Sequence, residues 1–428
     1  MRDRLTREGP AAAPPRAAIR ATESQRGERC ESGGVHYLDH AATTDLRPEA
    51  ADEWLRVAGA TGNASSTHGA GQRARRILEE SRERLAAALG CEPIEVVLTS
   101  GGTESVNLAL QGLWRSRAEG RTEILLPDGE HHATLDTVAA LAAEGAGVVA
   151  IGLDAVGRIP VDAFAAALAA EGVALATALV ANNEVGTVND AAALAASAAA
   201  AASVPLHLDA VAAFGHLPLS FAALRGEAPA GAGLVALSVA GHKIGAPAGT
   251  GALVVARTAR IAPLLHGGGQ QRGLRSGTQD VAGAAAFALA AELTVGEQVA
   301  EAVRLRRLRD RLAAGIQERV PSAELLGDPD PSGRLPGNAH LLFPGAPSES
   351  LLFLLDVAGI SASAGSACQA GIAEPSHVVQ ALGRTETEAR SVIRFTLGRT
   401  SSDDDVDAAL AVIADAYARA SGSSIRGR

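Results

Sequence analysis

The chain has 428 residues, 47% hydrophobic and 20% charged, with a net charge of −10 at pH 7. That length suits two or three domains with a sizeable core, and the acidic balance argues against direct binding of nucleic-acid phosphates. No run of about 18 uncharged apolar residues reads as a membrane helix, and the three cysteines (Cys30, Cys91 and Cys368) lack CxxC spacing, which fits a reducing cytoplasm rather than a disulfide framework.

Residues 1–34 mix seven arginines with acids, Pro and Gly and show no apolar periodicity. They lack the apolar core of a signal peptide and carry too many acids for a transit peptide, so they read as a disordered extension with Cys30 incidental. From residue 35 onward, apolar runs alternate with Ala/Leu/Arg helical patterns. The runs are "EVVLT" (95–99), "EILL" (123–126), "GVVAI" (147–151), "VALATALVA" (173–181), "PLHLD" (205–209), "GLVALS" (233–238) and "GALVVA" (251–256). Continuous apolar strands suit a sheet covered on both faces, so residues 35–281 are expected to form an α/β domain on a mostly parallel seven-stranded sheet. Residues 282–420 read as a smaller α+β domain, with a long helix over about 282–319, a Pro/Gly loop (327–337), two or three strands and terminal helices. Residues 421–428 read as a tail.

The distinctive polar residues follow the strand runs, where open α/β sheets bind ligands. After "EVVLT" comes "SGGTES" (100–105), a glycine-rich turn into a helix that suits an anion. His131 and Asn183 follow two further runs, Asp209 ends "PLHLD", and Lys243 follows "LVALSVAGH". Lys243 is the only lysine, against 37 arginines. Arginine stays protonated, whereas a buried lysine can lose its proton and form a Schiff base. A chance survivor at a solvated position is the alternative for Lys243, and an ordinary cap or turn residue is the alternative for each of the others. Together they point to pyridoxal phosphate. That cofactor takes a lysine for the Schiff base, a carboxylate for the ring nitrogen, a phosphate cradle, a stacking ring and an amide. The histidines show no HExxH or other ligand spacing, so no metal site is expected.

From Tyr37 to about Tyr417 the chain resembles the cysteine desulfurases of class V aminotransferase type, which have the PLP-dependent transferase fold type I. Within them it is similar to the branch acting in iron–sulfur cluster assembly and tRNA thiolation. The matching stretches are "YLDHAATT" (37–44), "GNASSTHGAG" (62–71), "TSGGTES" (99–105), "EHHA" (130–133), "NNEVG" (182–186), "HLDA" (207–210), "GHK" (241–243), "HGGGQQRGLRSGT" (266–278), "SAGSAC" (363–368) and "SVIRFTLGR" (391–399).

The resemblance implies a role for each matching residue. Lys243 would carry the cofactor, and His131 would stack on its ring and move protons while His132 points elsewhere. Asp209 would pair with the ring nitrogen, and Asn183 would bind near the ring oxygen and the substrate carboxylate. Gly102, Thr103 and His242 would hold the phosphate, which Thr278 would reach from the second subunit of a homodimer. Arg394 would clamp the carboxylate of L-cysteine. Cys368, which the bare sequence leaves open between a structural and a reactive thiol, would take the substrate sulfur as a persulfide and release L-alanine. The sulfur would then pass to an acceptor protein, an iron–sulfur scaffold or a tRNA thiolase. The N-terminal segment 35–50 would pack near the small domain, which carries the Cys368 loop. Two positions depart from the family pattern: Ala212 replaces a glutamine near the ring oxygen, and Ala240 replaces a serine at the phosphate. Ser238, two residues back on the same strand, is expected to compensate in part. Another fold type I enzyme (a selenocysteine lyase or an aminotransferase) and a degenerate scaffold are the alternatives.

Overall fold

Every apolar run named above becomes a strand of one sheet. The computed structural model describes residues 34–201, 203–365 and 374–422, so the segment before Gly34 and both Cys30 and Cys368 lie outside the described residues. After the short β1 (His36–Tyr37) come β2 (Val96–Thr99), β3 (Glu123–Pro127), β4 (Gly147–Ile151), β5 (Val173–Leu179), β6 (Pro205–Asp209), β7 (Gly233–Ala240) and β8 (Gly251–Val255). They lie in the order β2-β8-β7-β6-β5-β3-β4. Only β8 runs antiparallel to its neighbours; the other pairings are parallel. Strands β5, β7 and β8 are buried along their whole length, which explains why their sequences do not alternate. The expected α/β class with a mostly parallel seven-stranded sheet is the observed one.

The described residues from His36 onward form one compact unit with two main cores. The first surrounds the seven-stranded sheet. The second surrounds an antiparallel sheet of β9 (Glu324–Leu325), β10 (Asn338–Leu342) and β12 (Val392–Thr396), and it includes Leu38 and Leu305. Strand β1 pairs in parallel with β11 (Ile360–Ser361), which places the N-terminal segment on this second core. The helix Val281–Arg319 serves both cores. Its alanine-rich start, capped by Asp280, packs on the first core. Its Leu308, Leu312 and Ile316 pack in the second. At 39 residues it extends about 58 Å, enough to run from one core to the other.

Parallel strands bring their carboxyl ends to one edge, and antiparallel β8 brings its first residue there too. Gly251 pairs with Thr99 on one side and Ala240 on the other. A Cβ on Gly251 would lie 2.6 Å from the Gly101 Cα, so only glycine lets β8 pass beneath the turn after β2. Gly251→Ala is expected to cost about 1–3 kcal/mol through forced backbone displacement. Thermal melting of the purified variant against wild type checks this; equal melting temperatures would show that the turn yields freely.

Candidate active site

Loops following β2, β3, β5, β6 and β7 converge on a cavity of about 770 Å³. Gly102, Thr103, His131, Asn183, Asp209 and Lys243 all line it, and so do His242 and Arg394. Eight residues spread over almost three hundred positions thus meet at one sheet edge. Thr278 is exposed and does not line this cavity. Cys368 lies outside the described residues.

The lysine sits on a short turn, Gly241–Lys243, at the end of β7. Its Nζ donates to the carbonyls of Ala41 and, at 3.0 Å, Ala42, so the N-terminal segment holds the amine in place. Burial, followed by the charge of Arg394, lowers its pKa to about 8, because both disfavour the ammonium form. Asp209 ends β6 at 3% exposure, and its Oδ1 accepts from the Val211 N–H at 2.9 Å. Burial raises its pKa to about 6 against the opposing pull of that bond and of Lys243.

His131 is the N-cap of helix His132–Ala143, and its Nδ1 accepts from the Ala133 N–H at 3.0 Å. The neutral ring therefore carries its proton on Nε2. The ring opens to the cavity yet is surrounded by protein, and burial followed by the Lys243 charge lowers its pKa to about 4. His132 does not turn away as expected: it lines the same cavity, with its ring edge-on to His377 at 5.1 Å.

At the cradle, helix Gly102–Arg115 starts without a side-chain cap, leaving first-turn N–H groups available to an anion. A Cβ at Gly102 would lie 2.7 Å from Val211 Cγ2, so the helix start packs against the residue pair that follows Asp209. Glu104 fixes the turn by accepting from the Ser100 N–H at 2.7 Å and from Arg275 Nε at 2.9 Å. Ala212 lines the cavity, whereas Ala240 is buried behind the cradle.

Ser238 does not reach the site. It lies level with Asp209, its register partner on β6, but its hydroxyl bonds His207 Nε2 at 2.8 Å. His207 Nδ1 in turn bonds Thr177 Oγ1 at 2.9 Å. This buried chain consumes the hydroxyl, so Ser238 is no substitute for the serine missing at Ala240.

Arg394, on β12, crosses from the second core into the cavity at 3% exposure. Its Nη1 donates to the carbonyls of Asn183 (2.9 Å) and Gly365 (3.0 Å), and its Nη2 donates to Asp39 Oδ1 at 3.0 Å. The Nε has no partner among the described residues. Sequence reasoning assigned no role to Asp39 or to Glu130, a carboxyl with no exposed surface. Glu130 Oε1 accepts from the Leu179 N–H at 2.8 Å, while Oε2 has no partner among the described residues. Burial and the nearby Asp209 raise its pKa to about 8. Its place in the turn after β3, directly before His131, was the available signal.

Fold and site together define an α/β enzyme with its cavity at the carboxyl edge of a mostly parallel sheet. The chain belongs to the Aminotransferase class-V family, whose model matches residues 36–409, a family of pyridoxal-phosphate enzymes. It is 46% identical to an IscS-like cysteine desulfurase of Mycobacterium tuberculosis, over 90% of this chain and 96% of that protein. Among solved structures it resembles a NifS-like protein (TM-score 0.81, 30% identity, 89% of this chain and 98% of that one). A second, SspA in complex with cysteine, matches with TM-score 0.70 and 27% identity over 85% of this chain and 98% of that one. No helix among the described residues is long and apolar enough to cross a membrane.

The raised Glu130 pKa has a measurable consequence. Its carboxyl stays protonated in the folded protein at pH values where the unfolded chain has lost the proton. Its contribution is therefore fully present below about pH 4.5 and is lost as pH rises towards about 8. Glu130→Gln retains the oxygen that accepts from Leu179 and cannot ionise. Denaturant titrations of the two proteins between pH 4.5 and 8 should show the variant gaining relative stability as pH rises. A constant difference would mean that Glu130 ionises normally.

Proposed function

We propose that this protein is a cysteine desulfurase that moves sulfur from L-cysteine to Cys368 and releases L-alanine. The observation that carries the reading is the convergence of Lys243, Asp209, His131 and Arg394 on one cavity. The donor set fits pyridoxal phosphate: an amine with a lowered pKa, a buried carboxylate, an imidazole opening to the cavity and an uncapped helix start. When bound, that cofactor supplies an electron sink at the substrate α-carbon.

Lys243 would hold the cofactor, since a pKa near 8 leaves a useful share of neutral amine near neutrality. Asp209 would pair with the ring nitrogen, with Gly102, Thr103 and His242 at the phosphate and Asn183 near the ring oxygen. His131 would stack on the ring, and its low pKa keeps it neutral and able to accept a proton. Arg394 would bind the substrate carboxylate through donors now shared with Asp39 and two carbonyls. The Cys368 thiolate would attack the substrate sulfur, forming an S–S bond as the C–S bond breaks. The electron pair left on the substrate β-carbon takes up a proton, and L-alanine leaves. SspA, a structural neighbour, is described in complex with cysteine, which supports that substrate. Thr278, exposed outside its own cavity, would complete the site of a second copy in a homodimer. A sulfur-acceptor protein, an iron–sulfur scaffold or a tRNA thiolase, would collect the persulfide sulfur.

Lys243→Arg keeps charge and bulk but cannot form the imine. The variant should lose the visible absorbance of bound cofactor and all turnover, with a melting temperature near that of the cofactor-free wild type. Retained turnover would remove pyridoxal chemistry from the protein.

Cys368→Ala should keep that absorbance and its change on adding L-cysteine, yet release no alanine. Mass spectrometry of the wild type should find one reductant-labile sulfur on the Cys368 peptide. Cys91 should stay unmodified, because burial pushes its thiol up to about 12. Wild-type alanine release from Cys368→Ala would identify direct elimination instead.

A further inference from the structure

A stretch of backbone outside the cavity is held in a conformation that its residues disfavour. Among the described residues only Gln271 and Arg272 are non-glycine residues with positive φ, 48° and 60°. They are consecutive, in the loop 265–278 that leads from β8 to helix Val281–Arg319. The other left-handed positions of this loop, Gly269, Gly273 and Gly277, carry no side chain. At Gln271 and Arg272 the Cβ crowds the following carbonyl. Such strain persists only where the surroundings impose it, and it collects at functional sites. Arg275 reaches back to Glu104 at its own cradle, but no residue of 265–278 lines the cavity of this chain.

Two side chains impose the strain. Gln271 is 6% exposed, and its Oε1 accepts from the Leu98 N–H at 3.1 Å and from Arg82 Nη1 at 3.0 Å. Leu98 belongs to β2, an edge strand of the seven-stranded sheet, so the amide oxygen takes the place of a further strand on that free edge. Arg272 Nη1 donates to the carbonyls of Ile94 (3.2 Å) and Val255 (3.1 Å). The chain is thus pinned to β2 and the end of β8 where it turns against its preference. Beyond the turn the loop closes on itself. Gln270 Oε1 accepts from the Gly277 N–H at 3.0 Å, and Ser276 Oγ from the Gly269 N–H at 3.3 Å. Thr278 comes next, exposed, and Asp280 then caps the long helix. Its backbone is fixed on both sides, and it stays outside its own cavity.

We propose that Gln271 is a positioning residue acting across a subunit interface: anchored on β2, it presets the strained loop that presents Thr278 to the cavity of a second copy. The inference rests on the homodimer reading, in which Thr278 reaches the second copy's phosphate. The anchoring itself rests on Gln271, Leu98 and Arg82 alone. A loop ordered before association loses little freedom on docking, so a contact made by its exposed residue counts nearly in full. A loop free to relax Gln271 and Arg272 to negative φ would have to be reordered for each contact. The charged hydrogen bond from Thr278 to a phosphate oxygen would then be weakened.

The test uses full-length chains with two different tags, co-expressed, loaded with cofactor and purified through both tags, so that every dimer holds one chain of each kind. Lys243→Arg on one chain leaves a single competent lysine per dimer and so reports one site. When Gln271→Ala is on the chain that keeps Lys243, that site faces an intact loop. It should retain its visible absorbance on dilution as well as a dimer of wild-type and Lys243→Arg chains. When Gln271→Ala is on the Lys243→Arg chain, the remaining lysine faces the altered loop, and the cofactor dissociation constant should rise roughly tenfold. Gln271→Glu keeps the accepting oxygen and should restore retention in that arrangement. Gln270→Ala, which frees the Gly277 N–H, should show the same split and serves if Gln271→Ala does not fold. Equal retention in both arrangements, whether high or low, would overturn the proposal. So would loss only when Gln271→Ala shares a chain with Lys243, which would place the effect in the Arg275–Glu104 contact within one chain. Wild-type chains that never purify through both tags would instead overturn the homodimer, and colourless wild-type dimers the pyridoxal reading; the proposal falls with either.

Discussion

The guanidinium of Arg394 joins parts of the chain that share no strand. From β12 in the second core it reaches Asp39 in the N-terminal segment, the carbonyl of Asn183 at the large-sheet edge and the carbonyl of Gly365. Such a buried charge is tolerable only with partners that compensate its lost hydration, and a carboxylate and two carbonyls do so here. The same charge lowers the pKa of Lys243. One side chain therefore fixes the geometry between the two cores and tunes the amine at the bottom of the cavity.

Burial sets the rest of the electrostatics. Lys243 and His131 are pushed towards their neutral forms, and Asp209 and Glu130 towards protonation. The shifts have opposite signs in acids and bases because desolvation penalises charge of either sign. In such a site a cationic ring nitrogen beside Asp209 would stabilise the ionised carboxylate. A bound ligand would thus complete the charge balance that the protein side chains leave open. The neutral chain Thr177–His207–Ser238 lies beneath Asp209 and adds no charge to this layer.

The sheet supplies the scaffold for this arrangement at low geometric cost. Parallel strands end at one edge, so five loops meet there with little intervening structure. Antiparallel β8 closes the cradle from the opposite direction, and this works only because Gly251 and Gly101 let two backbones touch. Helix Val281–Arg319 then carries the chain from the first core to the second. The cavity wall consequently draws side chains from both.

The sequence by itself determined the strands, their apolar burial and the class of the sheet, because continuous apolar runs of this length leave few other packings. It also determined which polar residues sit at strand ends, and the single lysine among 37 arginines singled out the one amine able to lose its proton. Tertiary structure alone decided which strand-end residues face the cavity. Sheet register sets Ser238 directly beside Asp209, yet packing hands its hydroxyl to His207. The parts of Glu130 and Asp39 were equally out of reach. Each depends on a partner from about fifty to more than three hundred residues away. Local pattern carries no record of such distant neighbours, because only packing brings them within hydrogen-bond reach.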